Sequence, residues 1–145
     1  MNAIVEHLNR NVANLQLLYV KLHNYHWNVQ GAQFFSIHNV TEEYYNYMSE
    51  QYDVLAERVL QLGAKPPVTM KEYLQIATLK EEEGLEFSAK EVMQNVLDDF
   101  ETMLSEFKQL SQLAAEQGDT TSVALAEDNV QWLEKAVWML KAHAE

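Results

Sequence analysis

Four side chains between positions 38 and 57 have the types and spacing of metal ligands: His38, Glu42, Asp53 and Glu57. His38 and Glu42 are four residues apart, as are Asp53 and Glu57, so on a helix each pair stands on one face. Fifteen residues separate His38 from Asp53, which at 3.6 residues per turn leaves about 60° between them. All four would share one broad strip. Imidazole with carboxylates is a donor set for iron, manganese or zinc. A fifth candidate, His26, lies twelve residues before His38 in the stretch LHNYHWNVQGAQFFSIH. Taken singly, each carboxylate reads more simply as exposed helix surface, and each histidine as a hydrogen-bonded core group. The set, not any one member, points to a metal.

Helix geometry puts a condition on that metal. At 1.5 Å per residue, His38 and Asp53 are about 22 Å apart along the axis, too far to hold one ion within one chain. Two copies of the helix crossing antiparallel about a two-fold axis would bring His38 of one to Asp53 of the other, and the symmetry would do so twice. The residues therefore form either no single site or a site shared between subunits. A di-iron centre inside one bundle uses a Glu-x-x-His motif. No histidine here has Glu three residues before it: Ile4, Val20, His23, Phe35 and Leu140 hold those positions.

The elements that must position these residues read as helices. From about Ala3 to about Val29 an apolar stripe runs through Leu8, Val12, Leu15, Tyr19, Leu22, His26 and Val29 with spacings of four and three, the period of a helix face. His26 is thus placed on the buried side. A second helix is expected from about Gln33 to about Leu62, with Ile37, Tyr44, Met48, Leu55, Val59 and Leu62 on one side. A third opens at SAKE, where Ser88 and Glu91 form a capping box, and buries Val92, Val96, Phe100, Met103, Phe107, Leu110 and Ala114. A fourth follows GDTTS, where a threonine or Ser122 is expected to cap, and buries Ala126, Val130, Leu133, Val137 and Leu140.

All four glycines and both prolines fall between these segments, as chain breakers do. Short turns make the first and second helices, and the third and fourth, antiparallel neighbours. The connection between the second and third is far longer than an ordinary loop, and TMKEYLQIA within it, from Thr69, reads as a short capped helix. Four long helices with one crossover make an all-α, ferritin-like arrangement, in a single domain over residues 1–145. No sustained alternation marks a strand-rich second domain.

Composition narrows the function. The net charge is −12 and only ten residues are basic, a poor balance for non-specific nucleic-acid binding. Cysteine is absent, which excludes disulfides and thiolate sites. No apolar run is long enough to span a bilayer, and MNAIVEHLNRNV lacks the blocks of a signal peptide. A cytoplasmic protein is expected.

The stretch YVKLHNYHWNVQGAQFFSIHNVTEEYYNYMSEQYDVLAERVLQLG resembles the first half of the Dps family, the miniferritins known as DNA-binding proteins from starved cells. The motifs are HW, then FF-x-x-H, then D-x-x-x-ER, and the likeness continues through KPPVTMKEYLQIA and EKAVWMLKA to cover nearly the whole chain. The resemblance implies a hollow dodecamer of four-helix subunits with ferroxidase centres at two-fold interfaces, the arrangement that the helix geometry requires. It implies that His26, His38 and Glu42 of one subunit face Asp53 and Glu57 of its partner. Glu42 stands where the family usually has Asp.

The resemblance further implies oxidation of Fe(II), typically with hydrogen peroxide, and storage of a ferric mineral in the cavity; zinc and other divalent ions fit the same donors. It places Trp27 beside the centre as a possible electron donor, although interface packing serves as well to explain it. Glu43 and Glu50 are candidates for mineral nucleation, with exposed helix face as the plainer reading. Asp119 matches an acid of the family's three-fold iron pore. A second pore aspartate falls at Ala124, so the pore is expected to be less acidic than usual, with Glu127 or Asp128 as replacements. Lysine-rich tails serve DNA binding in the family; no lysine precedes Lys21 and the chain ends KAHAE, so direct DNA binding is not expected.

Overall fold

The computed structural model describes residues 2–144. Its elements are α1 (Asn2–Asn28), β1 (Val29–Gln30), α2 (Phe34–Gln61), α3 (Met70–Ile76), β2 (Phe87–Ser88), α4 (Ala89–Glu116) and α5 (Thr120–Ala144). α1 packs along α2 and α4 along α5, with α1 also against α3 and α4. The four long helices enclose one core, in which every apolar position expected on α4 and α5 is buried. On α1 the same holds except for Tyr19, and on α2 except for Leu62, both half-buried.

Local chemistry sets the ends of the helices. Ser88 accepts from the Glu91 amide at 3.1 Å while Glu91 returns a bond from the Ser88 amide at 3.2 Å, the reciprocal capping box expected at α4. Thr69 caps α3 by accepting from the Glu72 amide. α4 stops in a Schellman turn: the Asp119 amide donates to the Ala114 carbonyl at 2.9 Å and the Gly118 amide to Ala115 at 3.1 Å. That turn requires a left-handed residue, and Gly118 supplies it at φ +72°. α5 differs from the expectation. Its cap is Asp119, whose Oδ1 accepts from the Ser122 amide at 3.0 Å. A carboxylate competes well here because it also meets the positive end of the helix dipole.

The parallel pairing of β1 with β2, Val29 against Phe87 and Gln30 against Ser88, was not expected. Two residues are too short to show an alternating pattern. The bridge joins the lead-ins to α2 and α4, so both helices start at the same end of the bundle and run the same way. α3 is tied to α2 by a short hydroxyl–hydroxyl hydrogen bond between Tyr52 and Tyr73.

A buried ion pair joins α1 to α4, with Lys21 Nζ 2.5 Å from Asp99 Oδ2 and both side chains largely out of solvent. Burial pushes the Asp99 carboxyl above its usual range, and the Lys21 ammonium pulls it part of the way back. Removing one partner strands the other charge, so Lys21→Ala should destabilise the fold by about 3 kcal/mol, whereas exposed pairs lose under about 1 kcal/mol. Chemical denaturation of Lys21→Ala beside Lys141→Ala, which breaks the exposed pair with Glu101, measures the contrast.

Candidate metal centre

His26 lies in the last turn of α1 and His38 in the second turn of α2, and the short α1–α2 connection folds one onto the other. Their rings stack, with centroids 3.6 Å apart and planes inclined by 18°. His26 Nδ1 is 2.7 Å from the main-chain oxygen of His38, and His38 Nδ1 is 2.8 Å from the main-chain oxygen of His26. A carbonyl only accepts, so both Nδ1 atoms carry protons and donate. In the neutral rings the free lone pairs are then on the two Nε2 atoms. Such a bond through the other nitrogen is what orients histidine ligands and fixes their tautomer.

Thr41 Oγ1 is a second acceptor for His26 at 3.2 Å while donating its own proton to the Ile37 carbonyl at 2.7 Å. His26 is only 5% exposed. That burial lowers its pKa, partly offset by its bond to the His38 carbonyl, with the nearby His38 lowering it further. A depressed pKa keeps the imidazole neutral, the form that binds metals.

Glu42 stands one turn beyond His38, exposed. Asp53 and Glu57 are exposed on the far part of α2 and make no hydrogen bond or ion pair with any described residue. The three carboxylates are therefore presented to solvent, while His38 is half-buried and His26 buried, and the two halves of the expected ligand set lie at separate places. Among the described residues no group of three or more histidine and carboxylate side chains in one chain could hold an ion. Trp27 is 67% exposed beside the histidines, its ring 5.2 Å from that of His23.

Three neighbours of the histidines were missed from the sequence. Thr41 has been described. His23 stacks on Tyr45 at 3.8 Å, and the Tyr45 ring lies 5.2 Å from His26. Spacing could have found them, since His23 is three residues before His26, and Thr41 and Tyr45 are three and seven after His38, all on the same helix faces.

Asp119 is engaged within its own chain. Oδ1 accepts from Arg58 Nη2 at 2.8 Å and from the Ser122 amide, and Oδ2 from the Ser122 hydroxyl at 2.6 Å. Burial alone would raise its pKa; the Ser122 bonds and the Arg58 charge together hold it below the ordinary range. Glu43, Glu50, Glu127 and Asp128 are all exposed. No helix of the described residues is long and apolar enough to cross a membrane.

Helices in this order, one long crossover and imidazole–carboxylate donors define a ferritin-like protein, and the family model for the ferritin-like domain matches residues 5–145. The DNA protection during starvation protein of Helicobacter pylori is 41% identical over 140 residues, covering 97% of this chain and 95% of that protein. The crystal structure of a Dps protein from Bacillus brevis superposes with a TM-score of 0.95 at 42% identity, covering 99% of this chain and 96% of that one. A Dps structure from Vibrio cholerae O1, described as one of a broad superfamily of ferritin-like diiron-carboxylate proteins, superposes equally well, with a TM-score of 0.95 at 36% identity over 99% and 90% of the two chains. The chain belongs to the Dps family of ferritin-like proteins.

The depressed pKa of His26 has a sign that can be checked. The unfolded chain binds this proton more tightly than the folded one, so stability is full above the ordinary histidine pKa and is lost as pH falls from there toward the folded value. In metal-free protein melted from neutral to mildly acidic pH, His26→Gln should show a shallower fall in Tm than the parent.

Proposed function

We propose that this chain is a ferroxidase and iron-storage protein whose centres are each built from two subunits. His26, His38 and Glu42 of one copy would hold Fe(II) together with Asp53 and Glu57 of a second. The observation that carries this reading is a half-site at each end of one helix strip: two imidazoles locked with Nε2 free, and two carboxylates without partners among the described residues. An antiparallel two-fold pairing is the simplest operation that joins them.

Exposed apolar side chains near both halves support a covered face: Trp27, Phe35, Val54 and Leu60 are all solvent-exposed in the single chain. The family likeness favours a dodecameric cage in the cytoplasm.

Iron is the substrate here. Neutral imidazoles and carboxylates bind Fe(II), and the carboxylate charge stabilises Fe(III) more than Fe(II), which favours oxidation. With hydrogen peroxide as oxidant, two Fe(II), one peroxide and two protons give two Fe(III) and two waters. The two irons occupy one centre or one each of the related pair. Taking both electrons together avoids release of a hydroxyl radical. Zinc suits the same donors and would compete for the centre. Asp119, with Glu127 or Asp128, would line the entry pore, and Glu43 and Glu50 would offer carboxylates to the growing mineral. Trp27 would donate an electron or seal the interface. Protection of DNA would follow from removing iron and peroxide, not from direct contact, given the net charge of −12.

His38→Ala and Asp53→Ala should each abolish most peroxide-driven Fe(II) oxidation while leaving the helical content unchanged. Mixed assemblies of the two variants contain pairs in which one centre has lost both residues and the other neither. Recovery of up to half the activity in those pairs is expected, and no recovery would exclude the shared centre. A gel shift at low salt without divalent metal addresses DNA: free DNA should stay unshifted, and tight binding would replace iron protection with DNA compaction as the leading reading.

A further inference from the structure

We propose a second metal site, for a soft monovalent cation of the Cu(I) class, where the end of α5 meets the start of α4. It is separate from the histidine pair and does not depend on the iron reading. Met139 and His143 are four residues apart on α5 and so share a face. α4 and α5 are joined by a tight turn and run antiparallel, which brings Met93, near the start of α4, to the end of α5. Met93, Met139 and His143 line one hollow of about 200 Å³. Met93 and His143 also line an adjoining hollow of about 320 Å³, so these two side chains stand on the wall between them.

The chemistry of this donor set is unlike that of the main centre. Two thioethers and an imidazole are neutral and soft, and thioethers select Cu(I), while carboxylates and carbonyls suit hard divalent ions. The lining of the smaller hollow otherwise offers hydroxyl and hydrocarbon groups, with no carboxylate and no lysine or arginine. Its one phenol, Tyr44, is buried. Nothing there would neutralise a second positive charge, which favours a monovalent ion.

The other methionines do not compete among the described residues. Met48 and Met103 are fully buried, and Met70 sits on α3 in a hollow without a histidine. Met93 is half-buried, while Met139 and His143 are open to solvent, so the site is reachable from outside.

The absence of cysteine makes the test clean. The full-length assembly is titrated with Cu(I) without oxygen against a chromogenic Cu(I) chelator, and its copper-edge X-ray absorption is recorded. Any sulfur scattering must come from methionine. We expect sulfur scattering in the parent, and apparent Cu(I) affinity lowered roughly tenfold or more in Met139→Leu and in His143→Gln, in line with the loss from disturbing a metal site. Met93→Leu should remove one sulfur from the spectrum. Methionine to leucine conserves volume and His143 is exposed, so all three should fold and oxidise Fe(II) as the parent does. Copper bound through nitrogen and oxygen alone, or variants that bind as tightly as the parent, would overturn the site and move the copper to the His26–His38 pair.

Discussion

Two hydrogen bonds that cross between α1 and α2 underlie the rest of the centre. Each histidine donates to the other's own main-chain oxygen. The His26 carbonyl belongs to the last turn of α1, where carbonyls have no partner within the helix. His38 therefore does two things with one bond: it satisfies a helix end and commits its Nδ1. Because the arrangement is reciprocal, moving either ring would leave a buried donor and an acceptor unmatched, a penalty of about 1–3 kcal/mol for each group. The β1–β2 bridge beside it fixes how the chain leaves α1. Orientation of both rings is thus a property of the backbone fold, and on the proposed reading it would lower the ordering cost of binding a metal.

The same rigidity prevents one chain from finishing the centre. α2 is a single uninterrupted helix of 28 residues, so it does not fold back to carry Asp53 to His38. On the shared-site reading, metal binding and assembly become linked: an ion that binds only the paired form stabilises that pairing by mass action. An isolated subunit would hold iron weakly. On that reading, unassembled subunits would form little ferric product.

Most of the architecture was legible because long amphipathic helices repeat one signal many times. The apolar stripes located all four, and glycine and serine placed the stops and the α4 start within about two residues. The parts that escaped are those that depend on a single contact. The cap of α5 was expected from a hydroxyl, but Asp119 holds it, since Arg58 brings a positive charge from α2 that no local pattern reveals. The β1–β2 bridge is too short to have a period. At the site, periodicity placed His26 on the buried stripe and could go no further. On the proposed reading one residue would be both a buried histidine and a metal ligand: Nδ1 faces the backbone, which leaves Nε2 for an ion, and only the three-dimensional contact with His38 separates the two ends of the ring.

Acidic residues make the same point about context. Asp119 and Asp53 are alike in type, and both looked like iron ligands or guides. Asp119 is saturated by three bonds from Arg58 and Ser122, so its charge is largely spent on joining α2 to α5. Any pull it exerts on a cation is reduced by the guanidinium beside it, and at longer range the pair acts nearly as a dipole, screened by salt. Asp53 and Glu57 have no such counter-charge among the described residues. Two like charges one helical turn apart repel modestly, a small standing cost that a bound cation would remove. The strip on α2 is therefore a place where this strongly acidic chain would gain from a positive charge. His38, which could share that charge, is fixed about 22 Å away along the same helix, so on the proposed reading only another copy could bring such carboxylates to it.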